Sequence, residues 1–119
     1  MSLDFFDCSG RPYAYSDDGE TIYTFDGEPI AYIDGDSIFG FSGDHLGFFE
    51  DHQVWDHSGS VVLFAKRASG GPTKPLTPPP PLKCLKELKP LKGLKGIRPS
   101  KSRRGTSWSA RTPESIFED

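Results

Sequence analysis

Along the first seventy residues the apolar positions come in short groups, set apart by Asp, Gly and Ser, and the groups recur. Gly10, Gly27, Gly43 and Gly59 are spaced by 17, 16 and 16 residues. Aligned on these glycines, five positions before stand Phe5, Ile22, Ile38 and Val54, and four before stand Phe6, Tyr23, Phe39 and Trp55. Three after come Tyr13, Ile30, Leu46 and Val62; four after, Ala14, Ala31, Gly47 and Leu63; five after, Tyr15, Tyr32, Phe48 and Phe64. Nearly every column keeps one physical character over four copies, so the head is one unit written four times.

Each unit reads as strand, tight turn, strand. The flanks are aromatic and β-branched, which suits a pleated, half-buried surface. Ser9-Gly10, Asp26-Gly27, Ser42-Gly43 and Ser58-Gly59 supply the turn, for which a primed hairpin turn is predicted, because glycine takes positive φ without steric cost. A lone two-stranded hairpin is marginal in water, so the four must bury their aromatic columns against one another. The predicted fold class is all-β: four β-hairpin repeats closed into a small pseudo-fourfold ring, followed by an extended or disordered basic tail. Closure also removes the sheet edges that invite aggregation.

These residues carry a resemblance. The segments from Ile22 to Ile33 (Ile-Tyr-Thr-Phe-Asp-Gly-Glu-Pro-Ile-Ala-Tyr-Ile) and from His45 to Asp51 (His-Leu-Gly-Phe-Phe-Glu-Asp) resemble the bacterial 4-fold beta flower domain. Gly70-Gly71-Pro72 and the later Leu-Lys triplets are similar in style to chains of that family. The resemblance covers about residues 3–72. It implies the ring of four hairpins and implies no activity.

Composition then divides the chain. Of 15 aromatic residues, 13 precede Gly70, so the folded part ends there. Residues 1–70 hold 13 Asp and Glu against Arg11, Lys66 and Arg67, a net −10; residues 71–119 hold 11 Lys and Arg against four acids, a net +7. An acidic head with a basic tail is the signature of an interaction tail. The expected organisation is a four-hairpin domain over 1–70, a Pro-rich and Leu-Lys extended tail over 71–106, and a C-terminal docking motif over 107–119. The amino terminus has no basic or apolar leader pattern, and no apolar stretch approaches a membrane span. With two cysteines far apart, free thiols in a reducing, cytoplasmic compartment are expected.

From Leu82 the tail runs in six triplets, Leu-Lys-Cys to Ile-Arg-Pro. Only polyproline II, at three residues per turn, lines every leucine on one edge and every base on another; a disordered low-complexity linker is the alternative. The candidate interaction residues are Leu85, Leu88, Leu91 and Leu94, expected to pack on the head or on a protein partner, with Lys86, Lys89, Lys92 and Lys95 reaching acidic loops. Farther on, Thr112 is placed to cap a short helix with Pro113 in its first position. Trp108, Ile116 and Phe117 are candidate anchors.

Signs of chemistry are sparse. His45, His52, His57 and Cys8 match no metal-ligand spacing. Cys8 and His57 share a repeat column with Phe25 and Phe41 and are expected in core or half-buried positions. A Cys8–His57 nucleophile pair lacks any orienting group. No cofactor is indicated, and nothing in the sequence speaks to oligomeric state. The function expected is a non-catalytic interaction or presentation module whose tail docks on the head or on a protein. Nucleic-acid or anionic-surface binding through the tail lysines is the alternative, since repeated bases neutralise phosphates.

Overall fold

The computed structural model describes residues 2–118 as one disc, 36 × 36 × 25 Å, with a radius of gyration of 13.3 Å. Eight strands follow in order: β1 (Leu3–Phe6), β2 (Pro12–Ser16), β3 (Thr21–Thr24), β4 (Pro29–Asp34), β5 (Ser37–Phe39), β6 (His45–Glu50), β7 (Gln53–Trp55) and β8 (Val61–Phe64). They close into an antiparallel barrel in sequence order, β8 returning to β1. One short helix, α1 (Pro113–Phe117), follows.

Strand alternation sorts the repeat columns. The column five before each glycine pairs, within its own hairpin, with the column four after: Phe5 with Ala14, Ile22 with Ala31, Ile38 with Gly47, Val54 with Leu63. These pairs face the barrel interior, a large residue opposite a small one in three units and two of middling size in the fourth. The neighbouring columns point outward and pair between hairpins: Tyr15 with Tyr23, Tyr32 with Phe39, Phe48 with Trp55, and Phe64 with Phe6. Each such pair is a ring–ring contact, with centroids 5.7–6.1 Å apart. Every junction between hairpins is thus held by one aromatic couple.

The turns differ from the primed two-residue form. In each unit a backbone bond closes four residues, Gly10 N–H to Asp7 C=O at 2.9 Å in the first. A second bond runs from Asp7 N–H to Arg11 C=O, 3.0 Å. The glycine follows at positive φ, between 86° and 103° over the four units, and the ladder slips by one residue beside it. This is a three-residue hairpin loop with a glycine bulge, which matches the strand twist by another route. In the first and last units an Asp side chain braces the loop: Asp7 Oδ1 accepts from Ser9 N–H and Arg11 N–H, and Asp56 Oδ1 from Ser58 N–H and Ser60 N–H.

Closure is weakest between β8 and β1, where a single residue pair, Phe6 with Phe64, forms the ladder. There the C-terminal segment acts as a strap. Val61 N–H donates to Ser107 C=O at 3.0 Å, Ser109 N–H donates to Val61 C=O at 2.8 Å, and the Trp108 ring lies 5.8 Å from that of Phe64. Beyond the strap, Thr112 Oγ1 accepts from Ser115 N–H at 3.2 Å and starts α1, with Pro113 in the first turn. Ile116 and Phe117 are buried in the core cluster, Phe117 beside Tyr13. Arg11 reaches Glu114 at 2.7 Å, and the Tyr13 hydroxyl donates to Glu118. Burial and then this bond hold the Tyr13 proton, raising its pKa well above the usual phenol value.

Candidate functional site

Residues 73–105 form neither helix nor strand, yet they lie on the head throughout. Six straight triplets in polyproline II would reach roughly 55 Å, more than the 36 Å diameter, so the segment bends round the disc. It passes over all four turn glycines in turn. The carbonyl of Leu76 sits against Gly10, that of Leu85 against Gly27, that of Leu94 against Gly43, and that of Arg103 against Gly59. At each a Cβ would overlap the carbonyl oxygen. The glycines therefore serve twice, once for positive φ and once for the closeness of a second backbone.

Hydrogen bonds fasten this crossing. Cys84 N–H donates to Phe25 C=O at 2.9 Å and Gly93 N–H to Phe41 C=O at 2.7 Å. Glu87, Gly96 and Gly105 N–H donate to the carbonyls of Gly27, Gly43 and Gly59 at 2.8, 2.7 and 2.9 Å. The interval is nine tail residues for each sixteen or seventeen of the head.

The tail's bases lie on the aromatic couples. Lys83 and Lys86 stand over Tyr15 and Tyr23, with Nζ 4.4 and 5.1 Å from the ring centres. Lys92 and Lys95 stand over Tyr32 and Phe39 at 4.3 and 5.5 Å. Arg98 covers Phe48, while Lys101 and Arg104 cover Trp55, at 5.5–5.8 Å. Trp55 Nε1 also donates to Ser102 C=O at 3.1 Å. The fourth couple, Phe6 with Phe64, is covered by Trp108, and among the described residues no cation stands over it. Three junctions are clamped by cations and the closing one by an indole.

The same bases end at the acidic loops between hairpins. Lys83 and Lys86 both reach Asp17, at 2.8 and 2.9 Å, and Lys92 reaches Glu20 at 3.5 Å. Lys95 pairs with Asp34, Arg98 and Lys101 with Asp36 at 2.9 and 3.0 Å, Lys101 also with Glu50 at 3.1 Å, and Arg104 with Asp51 at 3.2 Å. Bonds from Lys83 and Lys86 hold the Asp17 carboxyl below its ordinary value, and Lys95 and Lys101 do the same for Asp34 and Asp36. An exposed ion pair contributes about 0.2–1 kcal/mol, and an exposed cation–π contact about 0.5–1 kcal/mol. Repetition, not any single pair, gives the clamp its strength.

Of the two places expected for the leucines, on the head or on a protein partner, the first is not taken. Leu85, Leu88, Leu91 and Leu94 are not packed on the head; they are 94–97% exposed, as are Leu76, Leu82 and Ile97. The reason is chemical. The outer face of the barrel offers ring faces and carboxylates within reach of one another, a surface that a cation on a long stem satisfies at both ends. Of the four candidate lysines, Lys86, Lys92 and Lys95 make these contacts; Lys89 forms no ion pair among the described residues. Lys83, Arg98, Lys101 and Arg104 belong to the site and were not singled out. A period longer than three marks Lys83 and Lys101 among them. Pro72, Pro81, Pro90 and Pro99 recur every nine residues, each followed two places on by a lysine, Lys74, Lys83, Lys92 and Lys101. Four nonapeptides thus ride on four hairpins.

Cys8 and His57, expected in core or half-buried places, are exposed; their column lies in the turn, where only the larger rings fold back on the barrel, Phe25 onto Tyr15 and Phe41 onto Tyr32. His57 Nε2 meets His45 Nδ1 at 2.8 Å, and His45 Nε2 lies 3.1 Å from Ser37 Oγ. Burial, then the neighbouring His57 and Arg98, lowers the His45 pKa. The pair borders a cavity of about 930 Å³ between the tail and α1. Among the described residues no three His, Cys, Asp or Glu side chains converge to hold a metal ion, and no helix is long and apolar enough to cross a membrane.

The chain matches the model of one family, described as 4-fold beta flower protein, over residues 3–117. The match takes in the tail and the C-terminal strap along with the hairpins. No curated protein and no solved structure matches the chain.

Proposed function

The chain belongs to the 4-fold beta flower proteins, and from that premise we propose that it is a non-catalytic interaction module that presents its own tail. The barrel is the scaffold. The tail is an extended arm docked in cis through its bases, and its leucine edge is the surface offered to a protein partner. One observation carries the reading: seven aliphatic side chains of the tail stand almost wholly in water while the bases between them lie on rings and carboxylates. Apolar side chains held outward in a row mark a binding surface. The alternative, nucleic-acid or anionic-surface binding, would need those bases free, and most are engaged with the head's own carboxylates. Cys8 and Cys84 are both free and exposed, which suits a reducing compartment and favours a cytoplasmic protein.

The test compares two variants of the full chain. In Lys83, Lys86, Lys92, Lys95→Gln the tail should come loose, and the amides of Cys84, Gly93 and Gly96 should exchange as in a free peptide. In Leu85, Leu88, Leu91, Leu94→Ser the same amides should stay protected, while cellular function is lost. A leucine variant with full cellular function would sink the presentation reading, and a lysine variant with intact protection would sink the clamp.

A further inference from the structure

The outward positions of the four nonapeptides are not alike. In each unit the second, fifth and eighth residues are exposed. In the first unit these are Thr73, Leu76 and Pro79, and in the last Ser100, Arg103 and Thr106. The two middle units supply Leu82, Leu85, Leu88, Leu91, Leu94 and Ile97, all at least 94% exposed. Successive crossings of the tail reach successive hairpins, so the six fall on one side of the disc, over the second and third hairpins. The belt is wholly apolar along this arc, mixed in the first unit, where Leu76 is 97% exposed, and polar in the last.

We infer that this arc is the surface through which two copies of the chain associate, as a two-fold dimer. The inference rests on the presentation reading above. Three observations select a second copy as the occupant. The first is area: at roughly 100 Å² of side-chain surface each, six such residues offer about 600 Å². That is the upper end of what monomers leave exposed and close to one partner's share, about 800 Å², of a standard interface. The second is self-complementarity. A two-fold contact sets one patch against itself. A row of equal side chains every third residue, about 9 Å apart at an extended rise, interdigitates with its own antiparallel copy. The third is charge. Beneath the arc Lys86, Lys92, Lys95 and Arg98 are already paired with Asp17, Glu20, Asp34 and Asp36. Of the bases along the arc only Lys89 forms no ion pair among the described residues, so two arcs meet with one unpaired cation on each, and a lipid headgroup or phosphate backbone would find the others occupied.

Sedimentation equilibrium of the full chain at low ionic strength tests this, from micromolar protein upward. The mass should rise from the 13.1 kDa of one chain to twice that value. The Leu85, Leu88, Leu91, Leu94→Ser variant should remain a monomer at every concentration, with an unchanged melt and a protected Gly96 amide. Salt should leave the dimer intact as long as Gly96 stays protected, since apolar contacts are not screened. A parent that stays monomeric with Gly96 protected overturns the dimer and leaves the presentation reading standing. A parent whose Gly96 exchanges freely overturns both. A serine variant that dimerises like the parent, or a monomeric parent that binds phosphatidylserine–phosphatidylcholine vesicles through the leucines, also overturns the inference.

Discussion

Replacing Gly43 with alanine addresses the crossing of tail over turn, and Gly35 provides the comparison. Gly43 has φ 103°, outside the pocket of positive φ that side chains tolerate, and the Leu94 carbonyl lies where the Cβ would go. Backbone strain at such a position costs about 1–3 kcal/mol. The tail must also move off, which stretches or breaks the bonds from Gly93 N–H to Phe41 C=O and Gly96 N–H to Gly43 C=O, both 2.7 Å. Each is worth about 0.5–1.5 kcal/mol net, so the expected destabilisation is about 2–6 kcal/mol with the strain included. Gly35 has φ 64° and nothing within 4 Å of a Cβ. Its alanine variant should cost about 1–2 kcal/mol for the left-handed backbone, less about 0.4–1 kcal/mol returned by a stiffer unfolded chain. Urea midpoints give the two free energies. Exchange at Gly93 and Gly96 separates the tail's share from strain, because Gly35→Ala should leave both amides protected and Gly43→Ala should expose them. Equal midpoints with Gly96 still protected in Gly43→Ala would refute the claim that the tail lies on the turn.

Three other outcomes follow from the geometry. The folded His45 pKa is depressed, so the unfolded chain takes up its proton first as pH falls; its share of stability is complete above about 6.5 and is lost as pH drops through the folded value, which thermal melts from pH 8 to 5 would register and a His45→Gln variant should flatten. Asp17, Asp34 and Asp36 are likewise depressed from 3.8, so their contribution holds above that value and disappears as pH falls through the lower folded values; tail amide exchange should accelerate only in that acid range, and one that accelerates near neutrality would contradict the carboxylate clamp. Phe117→Ala should destabilise the barrel by about 3 kcal/mol, at the low end of the core range because the ring caps one end; an unchanged melt would show that α1 does not close it.

Much of the barrel was legible before any coordinate, because a repeat states each constraint four times. Gly10, Gly27, Gly43 and Gly59 located the turns, and the repeat columns set Phe5 apart from Phe6 and Ile22 from Tyr23 without naming which face was which. Local chemistry also sufficed at Thr112 and Pro113, since a helix cap needs only its own four residues. What the chain could not disclose alone was the partner of each face. The Leu-Lys triplets fixed that leucines and bases lie on separate edges, but two edges do not say which one turns inward. That depended on the barrel's outer surface, where Tyr15 and Tyr23 meet above Asp17, and Tyr32 and Phe39 above Asp34. Residues distant in sequence build those ring-and-carboxylate sites only once the hairpins have closed. Given such sites, a lysine satisfies ring and carboxylate together, and a leucine satisfies neither, so the bases turn in and the leucines out. The nine-residue spacing of Pro72, Pro81, Pro90 and Pro99 was present in the sequence throughout. Its meaning, one crossing for each hairpin, is set by the circumference of the closed ring, a property that no segment of the chain possesses by itself.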